Sequence, residues 1–151
     1  MPLFAAAAGV LALDRLSKWL VQAYLDPGQS VPVLGPVMNL TLVHNPGAAF
    51  GLFPGQAAVF TALSLAILVI LPLFAFRFER GRPGPQAALG AVVGGAAGNL
   101  LDRLCTGGVV DFLDFKVWPV FNLADAAIVT GLGLFLLGLI RLAARRPRKE
   151  A

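Results

Sequence analysis

The chain reads as an all-α polytopic membrane protein, with four transmembrane helices and a small extracytoplasmic β-rich element. Three observations predict this class. Of its 151 residues 58 % are apolar and only 13 % charged, against about 25 % charged in a soluble domain. Mean hydropathy is +0.79. Eight of the twelve Lys and Arg residues fall in two clusters, Arg77-Arg80-Arg82 and Arg141-Arg145-Arg146-Arg148-Lys149, each directly after a long apolar run. That placement is the positive-inside pattern, so the net charge of +4 does not point to nucleic acid. The length suits one domain, 1–151.

The first span is expected over residues 3 to 24. The opening MPLFAAAAGVLAL has the apolar core of a signal peptide, but no Lys or Arg precedes it, and the run continues past Asp14, Arg15 and Lys18 into WLVQAYL. Asp14 and Lys18 are four apart, so they share a helix face in the favourable order. They form either a structural ion pair or part of a site; intramembrane polar groups serve both ends.

Residues 25 to 56 lose helical period. Pro27-Gly28, Gly35-Pro36, Pro46-Gly47 and Pro54-Gly55 mark turns. Between them VMNLTLVHN has strand character. Phe50 and Phe53 are placed to dip into the membrane interface. The second span, 57 to 76, carries no charge. Its 20 residues match the length that crosses about 30 Å of hydrocarbon, and Pro72 is tolerated there.

The third span, 85 to 105, is rich in Gly and Ala. Gly90, Gly94 and Gly98 form a ridge that favours close helix packing. At its far end Asn99, Asp102 and Arg103 share one face. A second extramembrane stretch, 106 to 122, holds Asp111, Asp114 and Lys116. The fourth span, 123 to 140, begins just after Asn122, which resembles an N-cap, with Asp125 as the acid of the first turn. The basic clusters place both termini in the cytoplasm and 25–56 and 106–122 outside. Asn45, Asn99, Asp102, Asp111, Asn122 and Asp125 then converge near the outer face.

The residue inventory narrows the chemistry. One cysteine, Cys105, permits no internal disulfide. One histidine, His44, reads as a loop residue, and the only serines are Ser17, Ser30 and Ser64. Ser17 and Lys18 are adjacent and do not face each other on a helix, which disfavours a Ser-Lys peptidase. No metal-ligand spacing is present, and no cofactor is expected. Two carboxylates sharing one site can instead work as acid and base, because repulsion keeps one protonated. On spacing alone Asp111 and Asp125 stay open to blander roles, as a solvated loop acid and a helix cap.

Five segments carry a family resemblance: DRLSK with Asp14 and Lys18, NPGAAFG at 45–51, GGAAGNLLDR at 94–103, GGVVDF at 107–112 and FNLADAAI at 121–128. In this order and over nearly the whole chain, they resemble lipoprotein signal peptidase (signal peptidase II). The resemblance implies an inner-membrane aspartic endopeptidase, with its active site near the outer face, that cleaves prolipoproteins N-terminal to a diacylglyceryl-modified cysteine. It implies a catalytic pair at Asp111 and Asp125, and site-supporting roles for Asp14, Lys18, Asn45, Asn99, Asp102, Arg103 and Asn122. Membrane lipid and the lipid-modified substrate are the implied partners, with the Gly90-Gly94-Gly98 ridge leaving room for a substrate helix, and a monomer is expected. The rival from another class is a small proton-coupled transporter using Asp14, Asp102 and Asp125. The lack of an internal repeat and the acids' position near span ends count against it.

Overall fold

The computed structural model describes residues 1–46, 56–79 and 81–144. In chain order it contains α1 (Pro2–Tyr24), β1 (Ser30–Leu34), β2 (Met38–Asn45), α2 (Ala57–Phe78), α3 (Pro83–Thr106), β3 (Val109–Asp114) and α4 (Leu123–Ala144). The four helices match the four apolar runs, each within a few residues. The helix ends follow the sequence. Proline occupies the first turn of α1 and of α3, where its missing N–H costs nothing. Gly107 ends α3 in the left-handed region at φ 75° and donates its N–H to Arg103 O at 3.1 Å.

The central helix is α3, which packs against α1, α2 and α4. Its small residues permit this. A Cβ at Gly90 or Gly94 would collide with the backbone carbonyls of Leu3 or Ala7 on α1, and one at Gly98 with the Asp14 carboxylate. A Cβ at Gly95 would lie 2.5 Å from Ala124 O on α4, and Gly131 of α4 meets Ala88 O in the same way at 2.6 Å. The ridge of Gly90, Gly94 and Gly98 is therefore filled by α1 and leaves no room for a substrate helix. Close backbone approach is what the missing side chains supply. Helix α2 closes the far end through Phe74, which meets Phe135 edge-on at 6.0 Å over a small core of Leu3, Ala75, Ala88 and Leu89.

Helices α2 and α4 are each 22 residues long, with mean hydropathy 2.6 and 2.2, enough to cross a membrane by length and composition. Their outward faces expose Val59, Leu63, Val69 and Leu73 on α2 and Leu132, Leu134, Leu136 and Ile140 on α4. Apolar surface so continuous is costly in water and suits a lipid solvent.

The three strands form one antiparallel sheet in the order β1-β2-β3. The expected strand at VMNLTLVHN is β2. His44 lies within it, opposite Val110, and is thus a strand residue rather than a loop histidine. The sheet rests on the end of α1, where Val21, Leu42, Val110 and Phe112 make a second core. Strand alternation then turns Asp111 to the opposite face from Val110 and Phe112. Phe50, Phe53, most of the NPGAAFG segment and the basic residues Arg80, Arg145, Arg146, Arg148 and Lys149 lie outside the described residues.

Candidate active site

The site is assembled where α3 ends, β3 begins and α4 starts. Asp111 reaches it from β3 with its side chain buried. Its Oδ2 accepts from Asn45 Nδ2 at 3.0 Å and its Oδ1 from Asn122 Nδ2 at 2.7 Å. Register explains the first contact. Asn45 pairs with Val109 and Asp111 with Val43, so Asn45 and Asp111 are diagonal neighbours on one face of the sheet.

Asp125 arrives from the first turn of α4. Its N–H donates to Asn122 Oδ1 at 2.9 Å, and its own Oδ2 accepts from the Asn122 N–H at 3.3 Å. This reciprocal pair caps the helix as the sequence suggested. The same carboxylate accepts from Asn99 Nδ2 at 2.8 Å through Oδ1. Asn122 therefore touches both acids: its side-chain amide donates to Asp111 and to Asn99 Oδ1 at 3.0 Å, and its oxygen holds Asp125. The cap and the acid pair are one structure, so the two readings of Asp125 do not compete.

Behind this layer lies a buried charge cluster. Lys18 is 0 % exposed. Its Nζ meets Asp14 Oδ2 at 2.9 Å, Asp102 Oδ2 at 2.8 Å and Asn99 Oδ1 at 3.0 Å. Two carboxylates and an amide oxygen surround the charge, which is what makes a buried ammonium tolerable, although the Asp14 Oδ2 contact is an ion pair without hydrogen-bond geometry. Asp14 Oδ1 also accepts from the Ala124 N–H of α4 at 3.1 Å. Asp102 Oδ2 accepts from the Val110 N–H at 3.2 Å, and Asp102 Oδ1 is paired with Arg15. Lys18 and its acids thus tie α1 and α3 to β3 and α4, next to each catalytic candidate. The expected Asp14–Lys18 pair is present, and it is also part of the site's foundation.

A cleft of about 290 Å³ opens in front of the acids, lined by Asp111 and Asp125 together with Asn45, Asn99, Ser64 and Arg103. Arg103 shares the cleft with the carboxylates, but no ion pair joins it to either one among the described residues. Its guanidinium lies over the Phe60 ring, 5.6 Å from the centroid, and Nη1 is 3.5 Å from Ser64 Oγ. Among the described residues its Nε is buried without a hydrogen-bond partner.

Burial, and then the negative charge of Asp125, push the Asp111 carboxyl up to about 7, against the opposing pull of the Asn45 and Asn122 amides. Asp114, only three residues on, behaves oppositely. The Lys116 N–H and the Thr41 hydroxyl hold its carboxyl below the usual carboxylate range. The two acids of β3 are thus chemically distinct. Asp111 is poised to exchange a proton near neutral pH, and Asp114 serves the sheet surface.

All nine residues expected at the site are brought together: Asp14, Lys18, Asn45, Asn99, Asp102, Arg103, Asp111, Asn122 and Asp125. Sequence reasoning missed Arg15, Phe60 and Ser64. Arg15 lies one residue from Asp14 in DRLSK, so it was within reach. Phe60 and Ser64 lie on α2, whose uncharged sequence gives no sign of which face meets α3. Ser17 Oγ donates to Asp14 O at 2.9 Å and Ser30 Oγ bonds with Thr41 on the sheet, so each is engaged away from the cleft. Among the described residues no group of three or more His, Cys, Asp and Glu is disposed to hold a metal ion.

A family model described as signal peptidase (SPase) II matches residues 6–141. The lipoprotein signal peptidases of Moorella thermoacetica and Pelotomaculum thermopropionicum are each 45 % identical to the chain over 150 residues, covering 99 % of it and 99 % of their own length. A solved bacterial membrane enzyme, determined by the in meso method at 2.3 Å resolution, is similar at a TM-score of 0.89 and 29 % identity, over 99 % of this chain and 93 % of its own.

Proposed function

The chain belongs to the signal peptidase II family, and from that membership we propose that it cleaves prolipoproteins N-terminal to the diacylglyceryl-modified cysteine, using Asp111 and Asp125 to activate water. The observation that carries the mechanism is the shared cleft, with Asn122 donating its side-chain amide to the Asp111 carboxylate and its backbone N–H to that of Asp125. Asp111, raised to about 7, holds the proton and polarises the scissile carbonyl. Asp125, seated on two N–H donors at a helix N-terminus, takes a proton from water as base. The water oxygen attacks the carbonyl carbon, Asp111 hydrogen-bonds the oxygen that gains charge, and the proton held by Asp125 passes to the departing amine.

The setting follows from the same reading. All four helices span the bacterial inner membrane, with both termini cytoplasmic. The α2–α3 turn, flanked by Arg77 and Arg82, lies at the opposite end of the bundle from Asp111, which supports a dyad near the outer face. One chain supplies every group named, so a monomer suffices. The test is cleavage of a diacylglyceryl-modified prolipoprotein by purified Asp111→Asn, Asp125→Asn, the double variant and Asp114→Asn, each checked for folding. Each dyad variant loses roughly 10²- to 10⁴-fold in kcat, the double variant is scarcely worse than either single one, and Asp114→Asn keeps most activity. Near-normal turnover in either dyad variant would falsify the mechanism.

A further inference from the structure

Asp125 faces two clefts. Besides the one it shares with Asp111, a second of about 360 Å³ lies between α4 and the segment that joins β3 to α4, walled by Phe115, Trp118 and Phe121 opposite Ala126 and Thr130. Asp125 and Val129 line both clefts, so the two meet at the candidate base.

We infer that the second cleft receives an acyl chain of the substrate's diacylglyceryl group while the first receives its peptide, an inference that rests on the function proposed above. Chemistry separates the two. The lipid is carried by the residue directly after the scissile bond, so peptide and lipid must diverge within a residue of Asp125. A bound peptide brings backbone N–H and C=O groups that need partners when buried. The first cleft offers the Asn45, Asn99, Ser64 and Arg103 side chains. Among the described residues the polar side chains of the second, beyond Asp125, are those of Thr130 and Trp118. An acyl chain makes no such demand and packs against aromatic walls.

The wall is also built to keep its shape. Phe115 and Phe121 stack with centroids 5.8 Å apart and planes 14° from parallel. Phe121 is pinned to β3 by its N–H to Leu113 O at 3.1 Å and by the Leu113 N–H to its own carbonyl at 2.7 Å. Lys116 turns the chain at φ 65°, and Asp114 holds it through the Lys116 N–H at 3.0 Å and Nζ at 3.1 Å. The turn presents Val117, 92 % exposed, and Trp118 at the rim. An apolar rim is the doorway a chain arriving from lipid needs.

The experiment compares kcat/KM for one prolipoprotein peptide carrying dipalmitoylglyceryl or dibutyrylglyceryl groups, in wild type, Thr130→Trp and Ala126→Phe, each of which fills the cleft from α4. A butyryl chain is too short to run along the aromatic walls that a palmitoyl chain packs against, so wild type prefers the long chains. Filling the cleft should bring the long-to-short ratio down towards one. A ratio unchanged in the variants, whether both rates persist or both fall together, overturns the assignment, as does a wild type indifferent to chain length. A wild type that cleaves neither substrate refutes instead the proposed function.

A second readout needs no turnover. In Trp19→Phe protein carrying Asp111→Asn, substrate brominated on its acyl chain should quench Trp118 fluorescence, and substrate brominated in its signal peptide should not. Equal quenching by both overturns the assignment. So does quenching by brominated phospholipid that unlabelled substrate leaves undiminished, which would give the cleft to bulk lipid.

Discussion

Asp111→Asn should make the protein more stable at alkaline pH, with a size that follows from where the carboxyl sits. Burial and the Asp125 charge raise Asp111 from an unfolded value near 3.8 to about 7. The folded state therefore binds this proton more tightly than the unfolded chain does. The stability this contributes is fully present below about pH 4 and is lost as pH rises through 7. Going from pH 5 to pH 8.5 crosses about two of the three units. At 1.36 kcal/mol per unit, that is about 3 kcal/mol as an order of magnitude. An amide never ionises, so the variant escapes this loss. Its hydrogen bonds survive as well: its oxygen can face Asn122 while its NH₂ turns to Asn45, where Asp111 Oδ2 now sits at 3.0 Å from Nδ2, and the Asn45 amide flips to accept. Thermal unfolding in one detergent, followed by circular dichroism at pH 5 and pH 8.5, measures the effect. The gap between variant and wild type should widen by roughly 5–10 °C at the higher pH. Because Asp125 titrates with Asp111, the shift belongs to the pair. Parallel melting curves, with a gap independent of pH, would refute the reasoning that places a raised acid at 111.

Lys18→Met should be among the most damaging single changes. It leaves Asp14 and Asp102 buried without their shared cation, and breaking a buried pair by removing one partner costs about 3–5 kcal/mol; a melting temperature within a few degrees of wild type would show that water reaches the cluster. Arg103→Lys should lower kcat/KM with little loss of stability, because an ammonium keeps the charge but loses the planar group stacked over Phe60; full activity would mean that only charge matters there. For topology, in a Cys105→Ala background, Val33→Cys on β1 should react with an impermeant maleimide added to intact cells, and Gly84→Cys at the start of α3 should react only after lysis. Labelling of position 84 from outside would invert the proposed orientation.

What the sequence disclosed was the local part of this fold. Uncharged runs of membrane length, a four-residue step from Asp14 to Lys18, and a three-residue step from Asn122 to Asp125 each fix geometry within one element, and each appears as expected. The contacts that were not legible join distant elements. The pairing of β2 with β3 converts His44 from a loop residue to a strand residue and brings Asn45 to Asp111 across 66 residues. Two uses of the α3 glycines were equally compatible with their spacing, and only the path of α1 decides between them. The Arg15–Asp102 pair and the Phe60–Arg103 stack likewise depend on helix rotation, which an evenly apolar sequence such as α2 does not encode at short range.

The link between the first and last helices has a consequence for how the molecule is made. Asp14 binds the Ala124 N–H, 110 residues downstream. At roughly 5–20 residues per second, the ribosome delivers Ala124 some 5–20 s after Asp14. Through that interval Asp14 and Lys18 can neutralise each other along α1, which leaves Arg15 as the one side-chain charge on the first helix still waiting for its partner, Asp102 of α3. The acid pair itself has no such early partner, since Asp125 enters only with the last helix. If the pair acts as proposed, a half-made chain is inert and proteolytic competence switches on once, when α4 docks and the earliest carboxylate closes onto the latest helix.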